Sequence, residues 1–242
     1  MQSKAENARS WIYWARHPRA IEAKIEEGIL TYDKREIGSI FLGKIENSVQ
    51  HQNRTQDNWF GVIEKFSLPI KMGDSYNWEY TQEEYLDFVS NSKFGLCLAG
   101  YGPKCNREIE YFGLGVVPII SNNVDMTYFD SPKQGKHYFK VENASEIPTI
   151  INNCSKQQWE DMSKNCADWY EKNCSREGSF NTTKKIIEKR NVEKVNFYEI
   201  EDLPFANKLY KFLDKEKIPY SIIESPMFVT SRMQFKSDIS GM

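Results

Sequence analysis

Arg107 and Glu110 stand three residues apart in a stretch with a helical pattern, Asn106–Gly115. That spacing puts both on one helix face. Arg107 lies one residue into the helix, where its planar fork of donors suits an anion. The helix start adds free N–H groups and the positive end of the dipole, and phosphate is the anion such a start favours. Just ahead lies the turn Ala99-Gly100-Tyr101-Gly102-Pro103. Gly100 and Gly102 permit close backbone approach and a positive φ, while Pro103 offers no N–H. The plainer alternative is architectural. Many α/β proteins carry a glycine-bearing turn that binds nothing, and the full G-x-G-x-x-G fingerprint is absent here.

These residues need a strand before them and a strand after them. Phe94–Leu98 is a short apolar run of buried-strand length, and Val116–Ser121 is a second, β-branched one. Gly115 suits a helix C-terminus, with Pro118 just beyond it. Strand, turn, helix and strand make a βαβ unit.

At 242 residues the chain has room for one full domain and a small appendage. Apolar content of 40% and aromatic content of 14% support a filled core. A net charge of −2 gives no general basis for binding nucleic acid. No apolar run approaches the roughly 18 residues of a membrane span, and the N-terminus is too polar for a signal peptide. Five cysteines without a CxxC pair suit a reduced, cytoplasmic protein.

In chain order, residues 1–36 read as a helical segment, with Trp11, Ile12, Trp14 and Ala15 apolar and Ile21, Ile25 and Ile29 spaced by four. Ile37–Leu42 is a buried strand followed by Gly43-Lys44, and a helix-capable stretch from Asn47 contains Arg54. Phe66–Lys71 is a weaker strand, because Pro69 argues against a central position. Thr81 and Glu84 form a capping box before an amphipathic helix bearing Tyr85, Phe88 and Val89. A polar loop, Asn122–Gly135, precedes a short strand at His137–Val141. Helices follow at Ala144–Asn152, Ser155–Cys174 and Thr182–Arg190, the second with a core stripe of Trp159, Met162, Cys166, Trp169 and Tyr170. Residues 191–242 read as strand, helix and strand with a loose polar tail. They either extend the main sheet or form a lobe.

Alternating strands and helices over 37–190 predict a doubly wound α/β domain with a mainly parallel sheet. Its ligand belongs at the carboxyl ends of the strands. The turns after Leu42, Leu98 and Ser121 all lie there.

The block Phe94–Phe129 resembles the donor-binding half of exostosin-like glycosyltransferases, enzymes built of two Rossmann-like domains (the GT-B fold). The resemblance runs through Phe94, Leu96, Cys97, Gly100, Arg107, Glu110, Gly115, Pro118 and Ile119-Ile120. Asn122, Asn123 and Asp125 are similar to the loop that follows, and Phe41–Lys44 with Arg54 to the turn that opens the donor domain. It implies a Rossmann-like nucleotide-sugar domain over 37–190 and a small β-α-β appendage over 191–242. It also implies an inverting hexosyl- or pentosyltransferase that takes a UDP- or GDP-sugar as substrate and has no covalently bound cofactor.

On that resemblance Arg107 stabilises the departing diphosphate, with Lys44 and Arg54 sharing the charge. Glu110 accepts bonds from ribose hydroxyls, Gly100–Gly102 approaches sugar or phosphates, and Tyr101 borders the base or sugar. Asp125 belongs to the same binding set, although a turn role comes first for it. Lys44 and Arg54 read equally well as solvated charges, and His137 as a packed or solvated histidine. No Asp-x-Asp motif is present, which agrees with a metal-independent enzyme. The partners implied are a nucleotide sugar and a glycan or glycoprotein acceptor. About 36 residues precede the donor-like domain, too few for a second Rossmann unit. The general base is therefore left open among His17, Glu22, Asp202, Glu224 and another chain. A binding module that borrows acceptor and base from a partner is the alternative.

Overall fold

The computed structural model of the chain describes residues 18–70, 79–104, 106–189, 192–198, 206–223 and 232–237. Helix α1 (Pro18–Glu26) leads into β1 (Ile37–Leu42), α2 (Ser48–Arg54) and β2 (Lys65–Ser67). Next come α3 (Gln82–Ser90), β3 (Ser92–Cys97), α4 (Arg107–Gly113), β4 (Val117–Ser121) and β5 (Phe139–Val141). Three helices follow: α5 (Ile147–Asn153), α6 (Lys156–Asn173) and α7 (Arg176–Lys189). The first five strands form one sheet in the order β2-β1-β3-β4-β5, and every pair is parallel.

Side chains on alternate residues of these strands enter two separate cores. Ile40, Leu42, Cys97 and Ile120 face Leu86, Val89, Ile109 and Phe112 of α3 and α4. Phe41, Phe94, Leu96, Val117 and Ile119 face Trp59, Ile147 of α5 and Trp159 of α6. Both faces of the sheet are therefore covered, which is why its strands read as near-continuous apolar runs. The fold is a doubly wound, Rossmann-like α/β domain, as the alternation of elements predicts.

Local signals place the elements. Thr81 caps α3 reciprocally: Glu84 N donates to Thr81 Oγ1 at 3.2 Å, and Thr81 N donates to Glu84 Oε2 at 2.7 Å. Gly115, at φ +63°, ends α4 in a Schellman motif, with Gly115 N bonded to Phe112 O and Val116 N to Tyr111 O. Strand β2 lies at the sheet edge, the place left for a segment containing Pro69. It ends at Ser67, shorter than the Phe66–Lys71 expectation, with Lys71 outside the described residues. Beneath the amino ends of the strands, buried Arg35 donates to the carbonyls of Leu30, Ser92 and Leu114.

Two segments differ from the sequence reading. Helix α7 begins at Arg176, six residues before the expected Thr182. Gly178 makes that stretch look unhelical, yet a Cβ there would lie 2.2 Å from Glu171 O, so glycine is what lets α7 cross the end of α6. In the C-terminal part, β6 (Val192–Tyr198), α8 (Ala206–Lys215) and β7 (Tyr220–Ile223) give the expected β-α-β unit. Part of the supposed loose tail then forms β8 (Arg232–Ser237), antiparallel to β6. The three strands make their own sheet, β7-β6-β8, and do not extend the main one. Leu209, Phe212 and Leu213 of α8 are buried, with Phe212 edge-on to Phe180 of α7.

Trp11, Ile12, Trp14 and Ala15 lie outside the described residues, as do His17, Cys105, Asp202 and Glu224. Among the described residues no helix is long and apolar enough to cross a membrane.

Candidate ligand crevice at the strand switch point

Strands β1 and β3 are neighbours, and the strand order reverses between them. In sheets of this order the crevice outside the carboxyl ends of that pair is where ligands bind. The chain leaves β1 through Gly43-Lys44 and β3 through the glycine turn. The predicted turns thus meet at the switch point.

Two arginines brace this crevice crosswise. Arg54, on the helix that follows β1, reaches the exit of β3: Nε donates to Ala99 O at 3.4 Å, and Nη1 donates to Lys44 O. Arg107, on the helix that follows β3, reaches back to the end of β1, where Nη2 donates to Leu42 O at 2.7 Å. Both guanidinium groups lie over the ring of Phe41, at 5.9 Å for Arg54 and 4.5 Å for Arg107. Gly43 is needed beside them, because a Cβ there would come within 2.7 Å of the Phe41 ring. Asn53 Nδ2 adds a bond to Gly100 O at 2.9 Å. Arg54 is only 7% exposed, so it is a buried brace and not a solvated charge. Lys44 is paired with Glu46, Nζ to Oε1 at 2.7 Å.

The start of α4 differs from a bare anion site. Its first turn carries two buried carboxylates, Glu108 and Glu110. Tyr128 Oη donates to Glu108 Oε1 at 3.1 Å, and Tyr85 Oη donates to Glu110 Oε2 at 2.6 Å. Burial, together with the Glu110 charge, pushes the Tyr85 hydroxyl well above its ordinary pKa. These carboxylates take up much of the helix's positive end. Charge for a phosphate must then come from the arginines. Gly100 and Gly102 are also not among the glycines of positive φ, which are Gly28, Gly115 and Gly135 among the described residues. The turn is instead closed by Gly100 N donating to Gly102 O at 3.2 Å. Tyr101 stands at the rim, 63% exposed, while Phe94 is core.

The loop after β4 is tied to the same turn. Asp125 N donates to Pro103 O at 2.7 Å, and Lys104 Nζ donates to Asp125 O at 2.7 Å. Asp125 Oδ1 accepts from both the amide and the hydroxyl of Thr127, so Asp125 builds its turn. Burial would raise the Asp125 carboxyl, but the Thr127 bonds and Lys104 outweigh it and the net shift is down. Lys104 was not singled out from sequence. Its ammonium is buried 3.7 Å over the Tyr128 ring, and burial lowers its pKa despite nearby Asp125 and Glu108. The only sequence signal for it is its place directly after Pro103.

His137 is packed, with Nδ1 accepting from Lys133 N at 2.8 Å. Glu22, the one base candidate inside the described residues, is committed to α7: Oε1 accepts from Arg176 N at 2.9 Å. Two hollows lie at strand ends. One of about 480 Å³ lies beyond β4 and β5, lined in part by Asn123, Asp125 and Tyr138. The other, about 250 Å³, lies beyond β1 beside Ile45 and His51.

No family model matches the chain, and no curated protein matches it in sequence. Among solved structures it is similar to the C-terminal domain of a glycosyl transferase group 1 family protein (LpcC) from Francisella tularensis. That match has a TM-score of 0.36 and 9% identity, and covers 67% of this chain and 95% of that domain. Values this low carry neither fold nor activity across. The fold assignment stands on the strand topology itself.

Proposed function

We propose that the chain is the donor-binding part of a glycosyltransferase, of the exostosin-like type its sequence resembles. Its donor is a UDP- or GDP-sugar, held without a metal. The observation that carries this reading is the crossed pair Arg54 and Arg107, fixed over Phe41 at the switch point. The pair concentrates two permanent positive charges where a Rossmann-like sheet takes a diphosphate. Each guanidinium carries five N–H donors, and the contacts to backbone and ring fix its plane in advance.

In the reaction, an acceptor hydroxyl oxygen attacks the anomeric carbon as the bond from that carbon to the diphosphate oxygen breaks. The electron pair leaves on the diphosphate, where the arginines stabilise it. The hydroxyl proton passes to a general base. Glu110, bonded to Tyr85, borders the site as the ribose-side carboxylate. Because Glu22 is occupied at α7, a second reading also has support: a nucleotide-sugar-binding module whose partner supplies acceptor and base.

Calorimetry with UDP and GDP tests the donor site. Binding by the wild-type chain is expected, with a loss of tenfold or more in Arg107→Lys, which keeps the charge and loses the fork. That loss corresponds to about 1.4 kcal/mol. Equal affinity in wild type and a folded Arg107→Lys would sink the assignment. Release of nucleoside diphosphate from a nucleotide sugar on adding acceptor separates the enzyme from the module.

A further inference from the structure

We infer that the hollow beyond β4 and β5 is a separate saccharide site, which takes an uncharged, hydroxyl-rich ring. Its volume of about 480 Å³ lies in the range of small-ligand sites. Its walls are mixed in the way a sugar requires. Met126 and Tyr138 are buried apolar groups that offer a surface for C–H faces. Thr127 offers a hydroxyl, and Asp125 offers Oδ2, whose nearest cation is Lys104 at 3.5 Å. Lys140 is exposed on the rim.

Asn123 supplies the most specific observation. Ser121 Oγ donates to its Oδ1 at 2.6 Å, which fixes the amide orientation. Its Nδ2 is then buried with no hydrogen-bond partner. A buried donor left unmatched is costly, and a ligand oxygen that reaches it removes the cost. One carboxylate and one ammonium border the same hollow, so a charged ligand would meet a like charge on either choice of sign. A neutral polyol can donate to Asp125 and accept from Asn123 and Lys140 together. This site belongs to the β4–β5 loops and not to the arginine crevice. That it serves as the acceptor subsite rests on the transferase reading; that it binds sugar does not.

The test is saturation-transfer NMR and calorimetry on the full chain with neutral monosaccharides and short neutral oligosaccharides, without nucleotide. Binding is expected. It should weaken at least tenfold in Asn123→Ala and in the double variant Thr127→Val/Lys140→Ala, with UDP and GDP affinity unchanged in the double variant. The double variant alters surface groups only, so it stays informative if Asn123→Ala misfolds. No saccharide binding at tens of millimolar, or binding equally strong in the folded double variant, would overturn the proposal. Tighter binding of sugar acids or amino sugars than of neutral sugars would also overturn it. Saccharide binding without any nucleotide binding would leave this site standing and remove the transferase reading alone.

Discussion

Arg107 lies over Phe41, with its guanidinium carbon 4.5 Å from the ring centroid, while the same side chain bonds to the carbonyl of the next residue, Leu42. The strand thus offers the arginine an aromatic face and a carbonyl from consecutive positions. Phe41 also supports Arg54 and stacks on Phe66 at 5.2 Å. Phe41→Leu keeps the core apolar and removes the platform. Loss of two ring–cation contacts, at roughly 0.5–1 kcal/mol each at exposed sites and more when desolvated, should destabilise the fold by about 2 kcal/mol. Nucleoside diphosphate affinity should fall about tenfold. Urea unfolding and calorimetry read both effects, and unchanged affinity would separate the ring from the site.

Gly95 of β3 lies under Tyr111 of α4, and a Cβ at Gly95 would sit 2.4 Å from the Tyr111 ring. Tyr111 is fully buried and cannot swing out. Gly95→Ala should therefore cost about 1–3 kcal/mol by overpacking. Adding Tyr111→Leu should recover part of that loss, a coupling that a double-mutant cycle measures.

Arg35 donates to three carbonyls from three different segments. Burial pulls its guanidinium down to about 10. Arg35→Met would leave those carbonyls without that donor, at a cost of roughly 3 kcal/mol or more. Lysine should not rescue it, because one ammonium cannot span the fork geometry. Chemical denaturation of both variants checks the claim, and a fully stable Arg35→Lys would refute it.

Acid should weaken the fold through His137. Burial holds its imidazole pKa below the ordinary 6.5, and Lys136 and Lys133 act in the same direction against Asp130. Below about 6.5 the unfolded chain takes a proton at this residue before the folded chain does. The unfolded state then binds more protons, so stability falls as pH drops through that window and is flat above it. His137→Asn should flatten the slope of unfolding free energy against pH between about 6.5 and 5. An unchanged slope would assign the acid sensitivity to other groups.

The elements that frame the crevice were legible because each carries a local signal. Ile37–Leu42 is a continuous apolar run, Thr81 has its capping partner at Glu84, and Gly115 has the positive φ its place predicted. The roles of the basic residues were less legible, because they depend on what lies across the sheet. Nothing local to Arg54 shows that its guanidinium is buried against the exit of β3, some 45 residues away in sequence. Lys104 carries no periodic or capping signal at all. Strand β8 was missed for a different reason. Met233 and Phe235 alternate with polar residues over only six positions, a pattern too short to stand out from a polar tail.

Because all five strands of the main sheet run parallel, none of their pairings can begin as a hairpin. Phe94 meets Val117, 23 residues on, whereas Ile37 meets Ser92, 55 residues on. Closing the longer loop costs roughly 0.8 kcal/mol more in chain entropy. Assembly should therefore start in β3, α4 and β4, and the pairing of β1 with β3 should come later. Pulsed hydrogen exchange during refolding would show the amides of β4 protected before those of β1. The crossed arginines would then be among the last contacts to form, and their closure would mark arrival at the native state.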